Sequence, residues 1–204
     1  MAMNESFDEE YRDCFQEITN IAMGQAADLL ARILNVFIVL PIPNVNILES
    51  SELHMALSAL DGNKSVSAVC QGFIGGGISG EALLIFNDSS FSDVAHLKKN
   101  IDQNIDENVE LEILMDISNV LIGACLKGIA DQLDLKFSQG HPKVMGRHVN
   151  VEQLIKTNAE RWKKTLAIEV NYTIEQHDVN CDLLLLFTED SFETLKTKAD
   201  YLLE

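Results

Sequence analysis

Apolar and polar residues follow a helix–strand order that occurs twice along the chain. An apolar stripe with helical spacing runs from Asp8 to Leu34, and a second runs from Glu107 to Leu133. Each of these long helices is followed by a proline-bearing extended segment, further strands and a closing helix. The extended segments and strands are predicted over residues 36–48, 64–74, 78–86, 135–148, 165–174 and 179–187, and the shorter helices over residues 51–60, 89–99, 151–162 and 191–203.

The two halves carry matching residues at a nearly fixed offset. Asp13, Glu17, Asn20, Gly24 and Pro43 recur 99 residues later as Glu112, Asp116, Asn119, Gly123 and Pro142. Further along, Ser90-Phe91 matches Ser191-Phe192 at an offset of 101. A repeat unit of this size often cannot bury its apolar face alone. We therefore predict one domain over residues 1–204, formed by a first repeat of about 8–100 and a second of about 107–204.

This order predicts an α+β fold with pseudo-twofold symmetry, in which two long helices pack on a mixed or antiparallel β-sheet. At about 100° per residue, the acid, Asn and Gly positions of each long helix share one face. The opposite faces are predicted to enter the core, and they carry Phe15, Ile18, Ala22, Ala26, Leu29 and Ile33 in the first helix and Leu114, Ile117, Leu121 and Cys125 in the second.

The repeated polar face has two interpretations. It is either an ordinary solvated face or a surface on which a partner docks. Asn is a mediocre helix former and Gly costs about 1 kcal/mol relative to Ala in a helix interior. Both occur twice at equivalent mid-helix positions, which favours docking. We name the face with Asp13, Glu17, Asn20 and Gly24 the first site, and the face with Glu112, Asp116, Asn119 and Gly123 the second site.

Composition narrows the range of partners. The net charge is −17, from 32 acidic against 15 basic residues, which disfavours nucleic acid and anionic membranes and favours a basic patch on another protein. The N-terminus is acidic and lacks a signal-peptide pattern, and the longest apolar run, residues 36–43, is too short to span a bilayer. The sequence therefore predicts a cytoplasmic protein without membrane insertion.

Other candidate chemistry is weak. Four well-separated cysteines, Cys14, Cys70, Cys125 and Cys181, are predicted to be free thiols, and the histidines lack metal-ligand spacing. The glycines at 75–77 match no phosphate-binding loop and predict a hairpin turn. No cofactor or metal of its own is expected.

The spacing acid-x-x-x-acid-x-x-Asn followed after 22 residues by Pro, present twice, resembles the CheC/CheX/FliY family of chemotaxis phosphatases. The layout is most similar to CheC, which has two such helices in one subunit, and it covers nearly the whole chain. The stretch from Asn20 to Ala27 also resembles the segment that follows the motif Asn in that family. The resemblance implies a CheC-like fold.

The resemblance also implies an activity, namely hydrolysis of the aspartyl phosphate of a CheY-type response regulator. Glu17 with Asn20, and Asp116 with Asn119, would be the catalytic pairs, in which Asn orients water and the acid pairs with the regulator's lysine. The regulator would supply Mg²⁺. The second site departs from the pattern, because it has Asp where Glu is expected and Glu112 where Asp or Ser is expected. We therefore expect the first site to be the more active.

Two other functions remain open at this stage. One is a non-catalytic adaptor that sequesters a response regulator or a CheD-like deamidase, and the other is a flagellar switch component. A phosphatase acts substoichiometrically, whereas an adaptor needs one copy for each partner molecule.

Overall fold

The computed structural model describes residues 9–49, 51–52, 55, 65–98, 106–151, 153–154, 165–174, 177 and 179–203. Within these ranges the elements are α1 (Glu9–Leu34), β1 (Asn44–Leu48), β2 (Ser65–Gly75), β3 (Ile78–Asn87), α2 (Ser90–Leu97), α3 (Glu107–Gln132), β4 (Ser138–Gln139), β5 (Lys143–Asn150), β6 (Thr165–Ile174), β7 (Val179–Thr188), a 3₁₀ turn (Glu189–Ser191) and α4 (Phe192–Leu203). The predicted α+β class and its two long helices are confirmed. The short helices predicted over 51–60 and 151–162 fall mostly outside the described residues.

The strands form one antiparallel sheet to which both halves contribute. Its order is β1-β6-β7-β3-β2-β4, and β5 also pairs with β2. The central strands β3 and β7 pair so that Leu83 lies opposite Leu184, its own equivalent at an offset of 101. The edge pairings repeat as well. Asn44 pairs with Glu169, and their equivalents at an offset of 99, Lys143 and Cys70, pair with each other. The sheet thus shows the predicted pseudo-twofold symmetry.

Local backbone features occur at equivalent places in the two halves. Asn35 and Asp134, just beyond α1 and α3, have φ of 54° and 50°. Each is followed by a residue whose N–H bonds back to the helix, Val36 to the carbonyl of Ala31 and Leu135 to that of Ala130. This is the Schellman ending, in which a left-handed residue closes the helix. Asn and Asp tolerate that conformation better than most residues with a Cβ.

Two buried serines at equivalent positions each accept a hydrogen bond from the other half of the chain. Ser191 Oγ accepts a bond from the Ser79 N–H at 2.9 Å, and Ser90 Oγ accepts one from the Asn180 N–H at 3.2 Å. Each serine therefore fixes the end of one half on a strand of the other half. Because the two halves are joined in this reciprocal way, the closing helices α2 and α4 take equivalent positions beside α3 and α1.

The sheet separates two apolar clusters. Alternate residues of β7 enter opposite clusters, with Leu183 and Leu185 beneath α1 and α3, and Leu184 and Leu186 on the other face. This period of two is the sheet's side-chain alternation. The cluster beneath the helices is the larger, and it buries the inner faces of α1 and α3. The helices are therefore fixed on the sheet while their outer faces remain available.

Two residues assigned to the core by helical spacing are instead exposed. Leu29 is 46% exposed and Ile33 is 54% exposed, whereas Phe15, Ile18, Ala22 and Ala26 are buried as predicted. The physical reason is that the apolar face of α1 is wider than the part that the core covers. In this part of the helix Leu30 and Leu34 are buried, whereas Leu29 and Ile33 line a surface groove formed with α3. The corresponding prediction for α3 is correct, because Leu114, Ile117, Leu121 and Cys125 are all buried.

The most apolar long segment is α3 rather than residues 36–43. By length and composition it could cross a membrane, with a window of mean hydropathy 1.6. However, 61% of that window is buried inside the fold, where it packs against α1 and the sheet. These are the properties of a core helix.

The cysteines are free thiols, as predicted. Cys70, Cys125 and Cys181 are buried, and burial raises the pKa of Cys125 to about 12. Burial, followed by the nearby Glu17 carboxylate, also raises the pKa of Cys14. Because the thiolate is the reactive form, these cysteines are structural rather than nucleophilic.

Candidate functional site

The first site lies on the outer face of α1. Asp13, Glu17 and Asn20 are exposed, and Gly24 is half-buried beside them. A Cβ added at Gly24 would meet no atom within 4 Å. In the part of the chain that the structure describes, Glu17 and Asn20 have no hydrogen bond or ion pair. A carboxylate and an amide are thus displayed together, one helical turn apart.

The opposite side of α1 fixes the orientation of these residues. Phe15 and Ile18 are buried immediately beside Glu17. The amide Nε2 of Gln16 donates a hydrogen bond to the carbonyl of Pro43 at 3.1 Å. Pro43 is buried and immediately precedes the edge strand β1, where a missing N–H costs least. The helix face is therefore held by the core on one side and by the strand entry on the other.

The second site lies on α3, and its acids have an intramolecular partner. Asp116 and Asn119 are exposed. Lys98, just after α2, donates from its Nζ to Asp116 Oδ2 at 2.6 Å, and the same Nζ lies 3.8 Å from Glu112 Oε1. The acid of the second site is therefore already paired with a cation, unlike Glu17.

A groove runs between α1 and α3 beside the second site. It has a volume of about 620 Å³, and its lining combines the amide of Asn119 and the open surface at Gly123 with the exposed apolar side chains Leu29 and Ile33. Charged residues of both signs, Asp28 and Lys127, stand at its edges. The groove explains why apolar residues of α1 remain exposed near a polar motif of α3.

The two sites lie towards opposite ends of the helix pair. Gly128 of α3 contacts Ala22 of α1, whereas Ile33 shares the groove with Asn119. These contacts show that α1 and α3 run antiparallel. Asn20 and Asn119 are thus separated by about 16 Å along the helix axes, from a rise of 1.5 Å per residue. Each site is accordingly complete in itself, because its acid and its amide come from one helix.

The chemistry of each site is that of an orienting surface. An Asn amide offers both a donor and an acceptor, so it can bind and direct a water molecule. A carboxylate can hold a lysine of a docked protein by a charge-assisted hydrogen bond. Within the described residues there is no cluster of three His, Cys, Asp or Glu side chains that could hold a metal. The prediction that the protein has no cofactor of its own remains untested.

Sequence analysis missed a polar cluster around His148. Its Nδ1 lies 2.9 Å from Asp88 Oδ2, and its Nε2 lies 2.9 Å from Glu110 Oε2. The hydrogen bond to Asp88 is the largest cause that raises the pKa of His148, with Glu110 adding to it. Arg147 also bonds Glu110, at 3.3 Å. The cluster joins the edge strand β5 to α3 and to the end of β3. Its members show no regular spacing in the sequence from which it could be predicted.

Comparison with known proteins gives a fold but no close relative. No family model and no curated protein matches the chain. Among solved structures, FliY from Thermotoga maritima aligns with a TM-score of 0.65 and 18% identity over 98% of this chain and 99% of that one. CheX from Vibrio vulnificus aligns with a TM-score of 0.58 and 12% identity over 84% and 99% of the two chains.

The chain has the fold of the CheC, CheX and FliY chemotaxis proteins. The resemblance seen in the repeated motif is therefore confirmed at the level of architecture. The FliM middle domain from H. pylori has the same CheC-like fold, with a TM-score of 0.61 and 14% identity over 94% of this chain and 99% of that one. Because the chemotaxis protein CheX and the FliM middle domain both carry this fold, the fold alone does not choose among the functions that the sequence left open.

Proposed function

We propose that this protein is a phosphatase that hydrolyses the aspartyl phosphate of a CheY-type response regulator, with the first site as its main active site. The observation that supports this proposal is the exposed pair Glu17 and Asn20, which share one helix face and have no partner among the described residues. Asn and Gly are unfavourable in a helix interior, so their presence on one exposed face beside an unpaired acid favours docking over an ordinary solvated face.

The reaction needs little from this chain beyond positioning. An aspartyl phosphate has a good leaving group, so the step that benefits from catalysis is the in-line approach of water. In the proposed complex, the amide of Asn20 holds that water and Glu17 pairs with the regulator's lysine. The water oxygen bonds to phosphorus, the bond from phosphorus to the aspartyl oxygen breaks, and the products are inorganic phosphate and a free carboxylate.

The regulator supplies the other groups that the reaction requires. The regulator's Mg²⁺ would neutralise charge on the transferring phosphoryl group, and this chain would then not have to contribute a metal. An open surface at Gly24 allows the regulator's backbone to approach α1 closely. The net charge of −17 suits a partner with a basic docking surface, and the proposed activity places the protein in the cytoplasm with that partner.

A non-catalytic adaptor is the second candidate, and it is favoured by a solved complex of FliM with SpeE from H. pylori, in which a chain of similar fold binds another protein. Turnover separates the two functions. Phosphate release should be followed from a phosphorylated CheY-type receiver domain with this protein at about one-twentieth of the receiver concentration. A phosphatase releases many phosphates per copy, so decay becomes faster than the spontaneous rate. If decay at this ratio equals the spontaneous rate while the receiver still binds, the protein is an adaptor.

A further inference from the structure

Lys98 is a residue of this chain that contacts both acids of the second site. Its side chain is 19% exposed, whereas that of Asp116 is 54% exposed. The aliphatic part of Lys98 is therefore packed, and its ammonium group reaches outward to the carboxylate at 2.6 Å. With Glu112 also 3.8 Å away, one cation is shared by the two acids that the second site displays.

No cation occupies the equivalent place beside the first site in the described structure. The offset of 101 that relates Ser90 to Ser191 places Ala199 where Lys98 stands in the first repeat. Ala199 is fully buried. On the same helix, Lys196 lies 5.0 Å from the ring centre of Tyr11, which is six residues before Glu17 and thus about 9 Å away along α1.

We propose that Lys98 is an internal competitor for the cation that the second site would otherwise bind, and that it makes the two sites unequal. This inference rests on the proposed function, in which a regulator's lysine pairs with the acid of the site. At the second site the incoming lysine must displace or share Lys98. At the first site Glu17 is free of such a competitor within the described residues.

The expected size of the effect follows from the exposure of the pair. Ion pairs with solvent-accessible partners contribute modestly, so loss of the competitor should improve docking at the second site by about two- to fivefold. The improvement should appear in receiver affinity and KM. It should not appear in kcat, because Lys98 pairs with the acid rather than with the amide that orients water.

The test isolates the second site by the double substitution Glu17→Ala and Asn20→Ala, which removes both the docking acid and the water-orienting amide of the first site. In that background, Lys98→Met removes the ammonium and keeps the aliphatic packing, whereas Lys98→Arg keeps the cation. Lys143→Met is the matched control, because Lys143 is exposed on the edge strand β5 and lies outside both sites. Binding of a beryllofluoride-activated CheY-type receiver and phosphate release from the phosphorylated receiver are both measured, with the wild-type chain alongside.

The proposal predicts that Lys98→Met lowers the receiver Kd and KM by about two- to fivefold, while Lys98→Arg and Lys143→Met change neither. Equal affinity with and without Lys98, or weaker binding after Lys98→Met, would overturn it. If the wild-type chain turns over in that case, the proposed function stands and only the role of Lys98 fails. If Lys98→Met tightens binding but no variant turns over, the phosphatase proposal fails and the competitor stands.

Discussion

At the first site a glutamate and an asparagine stand exposed on α1, and Glu17 has no ion pair in the described structure. At the second site the acid is an aspartate, one methylene shorter, and Lys98 holds it at 2.6 Å. The two sites nevertheless share helix length, exposed amide and unfilled glycine. The two sites differ in the acid itself and in a lysine from a neighbouring element, so a repeat can keep its backbone while its two surfaces diverge.

The features kept in both halves are those that the backbone needs. Both long helices end with a left-handed Asn or Asp, both closing helices start beside a buried serine, and both prolines precede edge strands. The features that differ between the two halves lie at the surface. They include the lysine beside the second site and the exposed apolar residues of α1 in the groove.

The largest difference in the free energy of unfolding is expected between substitutions at Gly128 and at Leu29, two equivalent positions that are 99 residues apart. A Cβ at Gly128 would lie 2.7 Å from the Cα of buried Ala22, so Gly128→Leu forces the helices apart and should lower the free energy of unfolding by about 2–3 kcal/mol. Leu29 is 46% exposed, so Leu29→Ala should cost less than about 1 kcal/mol. Urea unfolding measures both, and equal losses would contradict the close helix crossing at Gly128.

The next effect concerns the open surface at Gly24. Gly24→Ala meets no atom within 4 Å and should stabilise the helix by up to about 1 kcal/mol while kcat/KM is retained. Gly24→Leu should also fold, but its side chain would occupy the space that the receiver needs, lowering kcat/KM by about tenfold, or about 1.4 kcal/mol. The control is Gly123→Leu, for which a smaller loss is expected. Full activity of Gly24→Leu would show that the receiver does not approach α1 at Gly24.

The smallest effect is expected at the cluster around His148, in which Asp88 comes from the first repeat and Glu110 from the second. Because its partners raise the pKa of His148 above the ordinary 6.5, its contribution to stability is complete below that value. The contribution disappears as the pH rises through the folded-state pKa.

The variant His148→Asn is suited to this test because Asn tolerates the φ of 51° found there. It should lower the free energy of unfolding by less than about 1 kcal/mol near pH 5.5, and by a smaller amount near pH 8.5. His141→Gln, at an exposed loop position, is the control. A loss that is equal at both pH values would mean that the imidazolium charge contributes nothing to the cluster.

Much of the architecture could be predicted because it depends on short-range signals. Helical spacing predicted that α1 ends at Leu34, as observed, and the glycines at 75–77 predicted the hairpin, where Gly76 and Gly77 have φ of 59° and 82°. The exposure of Leu29 could not be predicted in this way, because it depends on which side chains of the apolar face the sheet and α3 cover. Helical spacing reports which face is apolar, and tertiary packing decides how much of that face is covered.

The candidate site was predictable to a similar degree. The repeated offset identified Glu17, Asn20, Asp116 and Asn119, and the structure displays all four at the surface. It could not identify Lys98, because the ion pair joins residues on two different elements. One signal was present, since the offset of 101 aligns Lys98 with Ala199, but a single lysine opposite an alanine has no meaning until α2 is seen to pack beside α3.

The central claim is that an exposed amide on α1 performs the chemistry and that the first site exceeds the second. The most direct measurement is kcat/KM for phosphate release from a phosphorylated CheY-type receiver, compared among wild type, Asn20→Ala, Asn119→Ala and the double variant. We expect Asn20→Ala to lose about 100-fold, Asn119→Ala to lose less than about threefold, and the double variant to reach the spontaneous rate. Turnover that is unchanged in the double variant, or lost with Asn119→Ala alone, would contradict the account.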